Sequence, residues 1–437
     1  MIIVQNQAYL LDLTPSEVKK LKRRLTISNP EFVQAKRLNI PGFFKQSLTF
    51  YKEFGDGSLA IPVGVLPEVS RYLKKHEITD NRFENPESIS IKFTGQLRSY
   101  QAEVVEKLLT KTIGVVCATT GSGKTIMMIE LICRRKQPTL VLVHNKTLLE
   151  QFKDRLEQFT NIDPDNIGTI GGGKFKLGDI TVATLQTMHR LSPELLGVVN
   201  AKFGQVFCDE VHVIAANTFY NVMNNLNAKY KYGFSATPQR TDGLDEVIHF
   251  AAGPLVHKVD EKVLKNFIVK PTAEYIYTDF DYPLFDVSEY QYMINTLAKD
   301  EERNKLIIDT INAPENIDYQ KVLLCSRVDQ VKFLDGALPG EVEIITGVSK
   351  KAHRKKVIDK LVSGELKIVI STYQCFGTGT DIPGLEMIVM CTPIKSPILV
   401  KQCAGRLSRP KTDKKPPRII VFIDKKIPLL HRQSYSV

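Results

Sequence analysis

Three clusters of residues have the types and spacing to do chemistry. In CATTGSGKT (117–125), Gly123, Lys124 and Thr125 match the phosphate-cradling pattern G-x-x-x-x-G-K-[ST], with Ala118 in place of the first glycine and Gly121 inside the loop. A cradle of this kind needs backbone N–H groups converging on an anion and a helix N-terminus behind them. Glycines let the backbone approach where a Cβ would obstruct. Ala118 falls at the strand-to-loop turn, farther from the phosphates, and is tolerated there if its φ is negative. Eighty-five residues after Lys124, VFCDEVHV (206–213) ends an apolar run in Asp209-Glu210. A carboxylate at that place can hold Mg²⁺ together with the Thr125 hydroxyl, and Glu210 can orient an attacking water. A metal site on Asp209, Glu210 and His212 fits less well. An extended strand sends 209 and 211 to one face and 210 and 212 to the other. The third cluster is QCAGRLSR (402–409), with Gln402, Gly405, Arg406 and Arg409. Alone, an Arg pair on a helix is a solvated face or a salt bridge. After a complete phosphate site it becomes a candidate for charge on a γ-phosphate.

Such residues need strands that end beside one another. From residue 112 onward short β-branched runs alternate with amphipathic stretches: TIGVVCA (112–118), TLVLV (139–143), ITVAT (180–184), QVFCD (205–209) and KYGFSA (231–236). A second group follows: KVLLCS (321–326), EVEIIT (341–346), LKIVIST (366–372), LEMIVMC (385–391) and RIIVFID (418–424). Near-continuous apolar strands separated by helices imply parallel sheets covered on both faces. Two groups of five imply two α/β lobes, 93–258 and 259–437. The acidic, aromatic stretch within 274–300 reads as a candidate insertion. Residues 1–92 differ in texture and read as a small α+β accessory domain. There TPSEVKKLKRRL carries a cap threonine, Pro15 at the first helical position and Glu17 at the third. The stretch 47–66 reads as a hairpin around GDG.

The chain has 437 residues, 43% hydrophobic and 24% charged, which suits a globular protein of two or three domains. No apolar run approaches the ~20 residues of a membrane span, and the first residues lack the pattern of a signal peptide. Seven scattered cysteines without a CxxC pair suit a reducing cytoplasm, with neither a disulfide framework nor a zinc site. The net charge of +11 is uneven: +4 in residues 1–96 and +8 in 401–437, against −1 between them. A basic excess at both ends suits contact with a polyanion, and equally suits solubility.

The ordered set ATTGSGKT, DEVH, SATPQR, GTGTD and QCAGRLSR resembles superfamily 2 helicases over about residues 97–424. LRSYQAEVVEKLL (97–109) resembles the motif that reads adenine. SATPQRTDG and DEERNKLI (300–307) are more similar to DNA translocases than to RNA helicases. With the basic N-terminal domain, the chain looks most like bacteriophage branch-migration and recombination helicases. The resemblance implies two tandem RecA-like parallel-sheet lobes behind a small N-terminal α+β accessory domain that binds duplex DNA.

It also implies an ATP-dependent enzyme, using Mg²⁺, that remodels forked or branched DNA in recombination, repair or replication. Its place would be the cytoplasm, the host's if the chain is viral, with no membrane partner. In that frame Lys124 holds the β- and γ-phosphates, and Thr125 and Asp209 hold Mg²⁺. Glu210 serves the water, while Gln402, Arg406 and Arg409 act from the second lobe. Arg98 and Gln101 face the adenine. Thr120, Gly121, Ser122 and Gly123 form the cradle, and Gly379 and Asp381 lie near the ribose. His212, Ser235, Ala236 and Thr237 couple hydrolysis to movement. His144, Asn145, Thr184, Gln186, Ser326, Arg327, Thr346 and Thr372 are candidate DNA contacts. Other readings stay open: an RNA helicase of the same superfamily, or a duplex translocase that separates no strands. A metabolic kinase would leave the second lobe and QxxGRxxR unexplained. A non-catalytic binding module would leave Lys124, Glu210 and Arg409 unexplained.

Overall fold

The computed structural model describes every residue except 38–41, 74–75, 120, 212–215, 237–243, 265–268, 284–288, 378–384, 395–396, 408–414 and 435–437. For 216, 217, 261, 351, 377, 397–399, 401, 402 and 434 it describes the backbone alone. The chain divides into two compact units, Met1–Thr119 with Gly123–Val259, and Asp260–Val437 with Thr120–Ser122.

Each unit is built on a sheet of buried parallel strands, as apolar runs without polar alternation require. Among the described residues the first sheet has eight strands, in the order Lys174–Lys176, Ile167–Gly171, Ile180–Thr184, Thr139–Val143, Gln205–Cys208, Tyr230–Ser235, Ile113–Cys117, Leu255–Lys258. Only Lys174–Lys176 runs antiparallel to its neighbour. The second sheet is all parallel, in the order Thr272–Thr278, Arg418–Asp424, Met387–Met390, Lys321–Cys325, Ile368–Thr372, Val342–Ile345. The expected five strands per lobe are all present, and both sheets carry more. Ile167–Gly171 (IGTIG) escapes a propensity reading because glycine is a poor strand former. Thr272–Thr278 (TAEYIYT) lies partly within the stretch read as a candidate insertion. It is an edge strand, paired along its length with Arg418–Asp424.

Helix Pro15–Arg24 starts as its sequence dictates. The Glu17 N–H donates to Thr14 Oγ1 at 3.3 Å, and Glu17 Oε2 accepts from the Thr14 N–H at 2.8 Å. The hairpin pairs Lys52–Glu53 with Leu59–Pro62. Gly57 in its turn has φ +83°, which a side chain would strain. Residues Ser47–Thr49 pair instead with Thr26–Ser28.

This N-terminal segment shares its core with the first sheet's helices. Leu10, Leu21, Phe50 and Ile61 form one cluster with Ile113, Val247 and Phe250. The Phe50 ring lies 5.2 Å from Phe250 and 4.9 Å from Tyr220. Arg24 pairs with Glu68 at 2.6 Å and with Glu246, on helix Asp245–Ala252, at 2.5 Å. Gly64 marks the closeness of the seat: a Cβ there would meet the carbonyl oxygen of His249 at 2.2 Å. All seven cysteines are buried and none is in a disulfide. Among the described residues no helix is long and apolar enough to cross a membrane.

Candidate active site

Parallel topology gathers the first unit's candidates at one edge. Lys124 lies past strand Ile113–Cys117, His144 and Asn145 past Thr139–Val143, and Asp209 and Glu210 past Gln205–Cys208. Thr184 and Ser235 end their own strands. Open α/β sheets bind ligands at this carboxyl edge.

The strand Ile113–Cys117 is buried throughout, and the chain leaves it for helix Lys124–Arg135 through Gly121 at φ +84° and Gly123 at φ +79°. Gly123 is constrained twice, because a Cβ would also sit 2.4 Å from Gln101 Nε2. Gln101 is buried, and its Oε1 accepts from the Arg98 N–H at 2.8 Å. It therefore packs on the loop itself. Ala118 has no positive φ, so its Cβ is unstrained. Its N–H donates to the Ser235 carbonyl at 2.9 Å, and its carbonyl accepts from Lys124 Nζ at 3.3 Å. The Ala236 carbonyl lies 3.7 Å from Cys117 Sγ, and Thr125 is half-buried.

Three charges meet behind the loop. Lys124 Nζ lies 3.0 Å from Glu210 Oε1, with the two side chains 8% and 16% exposed. Burial works against the ammonium, but Glu210 and then Asp209 outweigh it, so its pKa is raised. The Asp209 carboxyl is pushed up, first by burial and then by the neighbouring Glu210 charge, with Lys124 opposing. Its one hydrogen bond among the described residues comes from the Glu210 N–H, at 2.9 Å. Glu210 has φ +51°, a left-handed backbone that costs a non-glycine residue about 1–2 kcal/mol. Strain of this sort clusters at functional sites.

The candidate nucleic-acid contacts divide. Asn145 caps helix Lys146–Phe159, accepting from the Leu148 N–H at 2.9 Å. His144 is half-buried, and burial lowers its pKa against the pull of Glu210. Thr184 Oγ1 is bonded to Thr187 Oγ1 at 2.8 Å, while Gln186 is exposed. In the second unit Ser326, Thr346 and Thr372 lie at the carboxyl ends of three neighbouring strands. Arg327 Nε donates to Asn295 Oδ1 at 2.6 Å, so its guanidinium is engaged within the lobe. Arg406 lies over the Phe376 ring at 5.3 Å. Thr120, His212, Thr237, Gly379, Asp381 and Arg409 lie outside the described residues, as does the side chain of Gln402; Ser122 is buried.

Two features were not read from the sequence. One is the Lys124–Glu210 pair. The other is the fully buried Arg303, whose Nε lies 2.7 Å from Asp424 Oδ1. A signal for the second existed: an aspartate ending the apolar run RIIVFID needs a cation.

Two family models match the chain. Residues 94–240 match the type III restriction enzyme res subunit, and residues 302–411 match the helicase conserved C-terminal domain. Together they span more than half of the sequence, one on each lobe.

The chain is a superfamily 2 helicase. Its class is that of nucleic-acid-dependent ATPases. A relative from Sulfurisphaera tokodaii, named DNA 3'-5' translocase XPB2, is 25% identical over 387 residues, covering 79% of this helicase and 86% of the relative. One from Acanthamoeba polyphaga mimivirus, whose name proposes an ATP-dependent RNA helicase, is 28% identical over 365 residues, covering 79% and 67%. Among solved structures, an HsdR fragment of a type I restriction enzyme from Vibrio vulnificus covers 76% of this helicase and 65% of that chain, with TM-score 0.57 and 18% identity. That likeness is one of fold, two RecA-like lobes.

Proposed function

We propose that this helicase is an ATP-driven DNA translocase that works on forked or branched DNA. One observation carries the branched-DNA reading: a basic N-terminal segment shares a hydrophobic core with the ATP-binding lobe and is pinned to it through Arg24. A motor that moves a junction must hold an arm while it pulls a strand, and a second anchor fused to the lobe does that. The S. tokodaii relative's name supports DNA as the track.

In the chemistry we propose, Lys124 exchanges Glu210 for the β- and γ-phosphates of ATP. The exchange keeps each buried charge compensated, since an unpaired one costs several kcal/mol. Glu210, released, holds the attacking water and accepts its proton. Among the described residues no group of three or more His, Cys, Asp or Glu could hold a metal. A single buried carboxylate with Thr125 suits Mg²⁺, which takes one or two carboxylates plus substrate phosphates. When bound, that ion neutralises charge on the transferred phosphoryl group. Gln101 and Arg98 serve the adenine, and Arg406 and Arg409 take the finger role. Ser235 and Thr237 are the coupling residues.

The test compares ATPase stimulation by single-stranded, duplex, forked and four-way DNA and by an RNA fork. Forked and four-way DNA should stimulate most. Equal stimulation by the RNA fork would overturn DNA as the track, and equal stimulation by linear duplex would overturn the branched substrate.

A further inference from the structure

Helix Pro15–Arg24 walls a cavity of about 470 Å³ in the N-terminal segment. Its floor is apolar, from Leu21, Ile27, Val69 and Leu73, and Tyr72 stands beside them 52% exposed. The helix's cations divide into two sets. Lys22 pairs with Glu53 at 2.7 Å, and Arg24 pairs with Glu68 and Glu246. Lys19, Lys20 and Arg23 are exposed, and Lys20 and Arg23 line the cavity. Their spacing places Arg23 one turn after the two lysines, on one face. The cavity's acids are engaged: Glu17 in the helix cap and Glu246 with Arg24. The rim is therefore net positive over an apolar, aromatic floor.

We infer that this cavity takes an unpaired nucleotide of branched DNA, with its base against Tyr72 and the apolar floor and its flanking phosphates on Lys20 and Arg23. This rests on the branched-DNA reading above and deepens it. An intact duplex stacks its base faces away and offers only its backbone and base edges, so it would leave an apolar cavity unfilled. An unpaired base brings two apolar faces, and a volume of this size admits one nucleotide. Base–aromatic stacking with a cationic track is the general means of holding unpaired strands. Arg24, on the same helix, ties the site to Glu246 of the ATP-binding lobe, so a captured base is held relative to the motor.

The full-length protein tests this with two probes: a DNA fork carrying two unpaired thymidines at the branch, and a blunt duplex of equal length. Tyr72→Ala should weaken fork binding roughly tenfold, the scale of one lost base stack, and leave the duplex unchanged. Tyr72→Phe should keep fork affinity, which separates lost stacking from damage to the fold. Lys20→Ala with Arg23→Ala should weaken both probes and flatten the log–log salt dependence by about 2, for two phosphate contacts. Equal loss on both probes for Tyr72→Ala, or no loss on either, overturns the inference. Failure of the branched-DNA reading would show elsewhere, as wild-type ATPase stimulated no more by a DNA fork than by linear duplex.

Discussion

Both lobes bury an aspartate at the carboxyl end of an apolar strand, and the two carboxylates live under opposite conditions. Asp424 is fully buried and saturated. It receives Arg303 Nε at 2.7 Å, Arg303 Nη2 at 3.2 Å and the Thr278 hydroxyl at 2.6 Å. Arg303 spends its remaining nitrogen on the Cys391 carbonyl. Asp209 is 9% exposed, takes one backbone N–H, and faces the like charge of Glu210. The same strand architecture thus carries a staple in one lobe and a strained, charge-crowded corner in the other. A buried carboxylate with every partner in place holds a fold together. One with a like-charged neighbour and a shared lysine gains when a cation and phosphates arrive. Substitutions on the two sides should therefore fail in different ways.

The largest effect belongs to the ATP side. Lys124→Ala should lower ATP turnover at least ~10²–10³-fold, the scale of one lost electrostatic contact to the transition state. Nucleic-acid affinity should stay within about twofold, because the candidate strand contacts lie on other strand ends. Parallel loss of nucleic-acid binding would show that the two functions share this lysine.

Next comes the staple. Arg303→Met leaves Asp424 charged, buried and without its cation, and should destabilise the protein by about 3–5 kcal/mol. Urea unfolding reads that directly. Turnover per folded molecule should stay close to wild type. If turnover collapses while the midpoint of unfolding holds, Arg303 belongs to the active machinery and the contrast between the lobes is wrong.

Glu210→Gln sharpens the comparison from inside the site. The amide cannot accept a proton, so turnover should drop sharply, on the order of 10²-fold or more. It also cannot neutralise Lys124, so the ammonium is freed for phosphate. Nucleotide affinity should rise several-fold, read by titration with a non-hydrolysable ATP analogue. Weaker nucleotide binding in this variant would mean that the Lys124–Glu210 pair does not compete with ATP.

How far all this was legible in the sequence depends on whether a feature is local. The cap of Thr14 with Glu17, the loop glycines and the ten apolar strands depend on near neighbours, and pattern reads them. Ile167–Gly171 is a strand because a neighbour pairs with it, against its glycine-bearing composition, while Thr272–Thr278, rich in strand formers, was obscured by the acidic stretch it runs into. The Lys124–Glu210 pair joins residues 86 apart, and Arg303–Asp424 joins residues 121 apart. The shared core of the N-terminal segment likewise brings Phe50 to Phe250. Separations of this size leave no local pattern from which a partner can be read. The site's residue types were legible, while their pairing follows from the fold.

The smallest prediction concerns two lysines near the other, amino ends of the sheets. Lys231 is buried in the first sheet and donates to the Met223 carbonyl at 2.9 Å. Burial, then Arg82, holds its pKa down at about 7. Lys321 is buried in the second and donates to the Asn316 carbonyl at 2.6 Å. Burial, then Lys367, lowers it to about 8, with Asp318 opposing. An unfolded lysine titrates near ~10.4. Between about pH 7 and that value the unfolded chain carries a proton on residue 231 that the folded chain lacks. Unfolding then takes up a proton, so this lysine makes stability rise with pH, by at most ~1.4 kcal/mol per pH unit. Below about 7 both states are protonated and the slope vanishes. Lys321 adds the same sign over a window that opens about one unit higher. Lys231→Met keeps the apolar stem and removes the titrating group. Urea unfolding at pH 7.5, 8.5 and 9.5 should show a shallower rise with pH in this variant than in wild type, and a gain in stability that is largest at pH 7.5. An identical slope would mean that the folded protein keeps residue 231 protonated, its charge met by the Met223 carbonyl, and would return the pH dependence to Lys321.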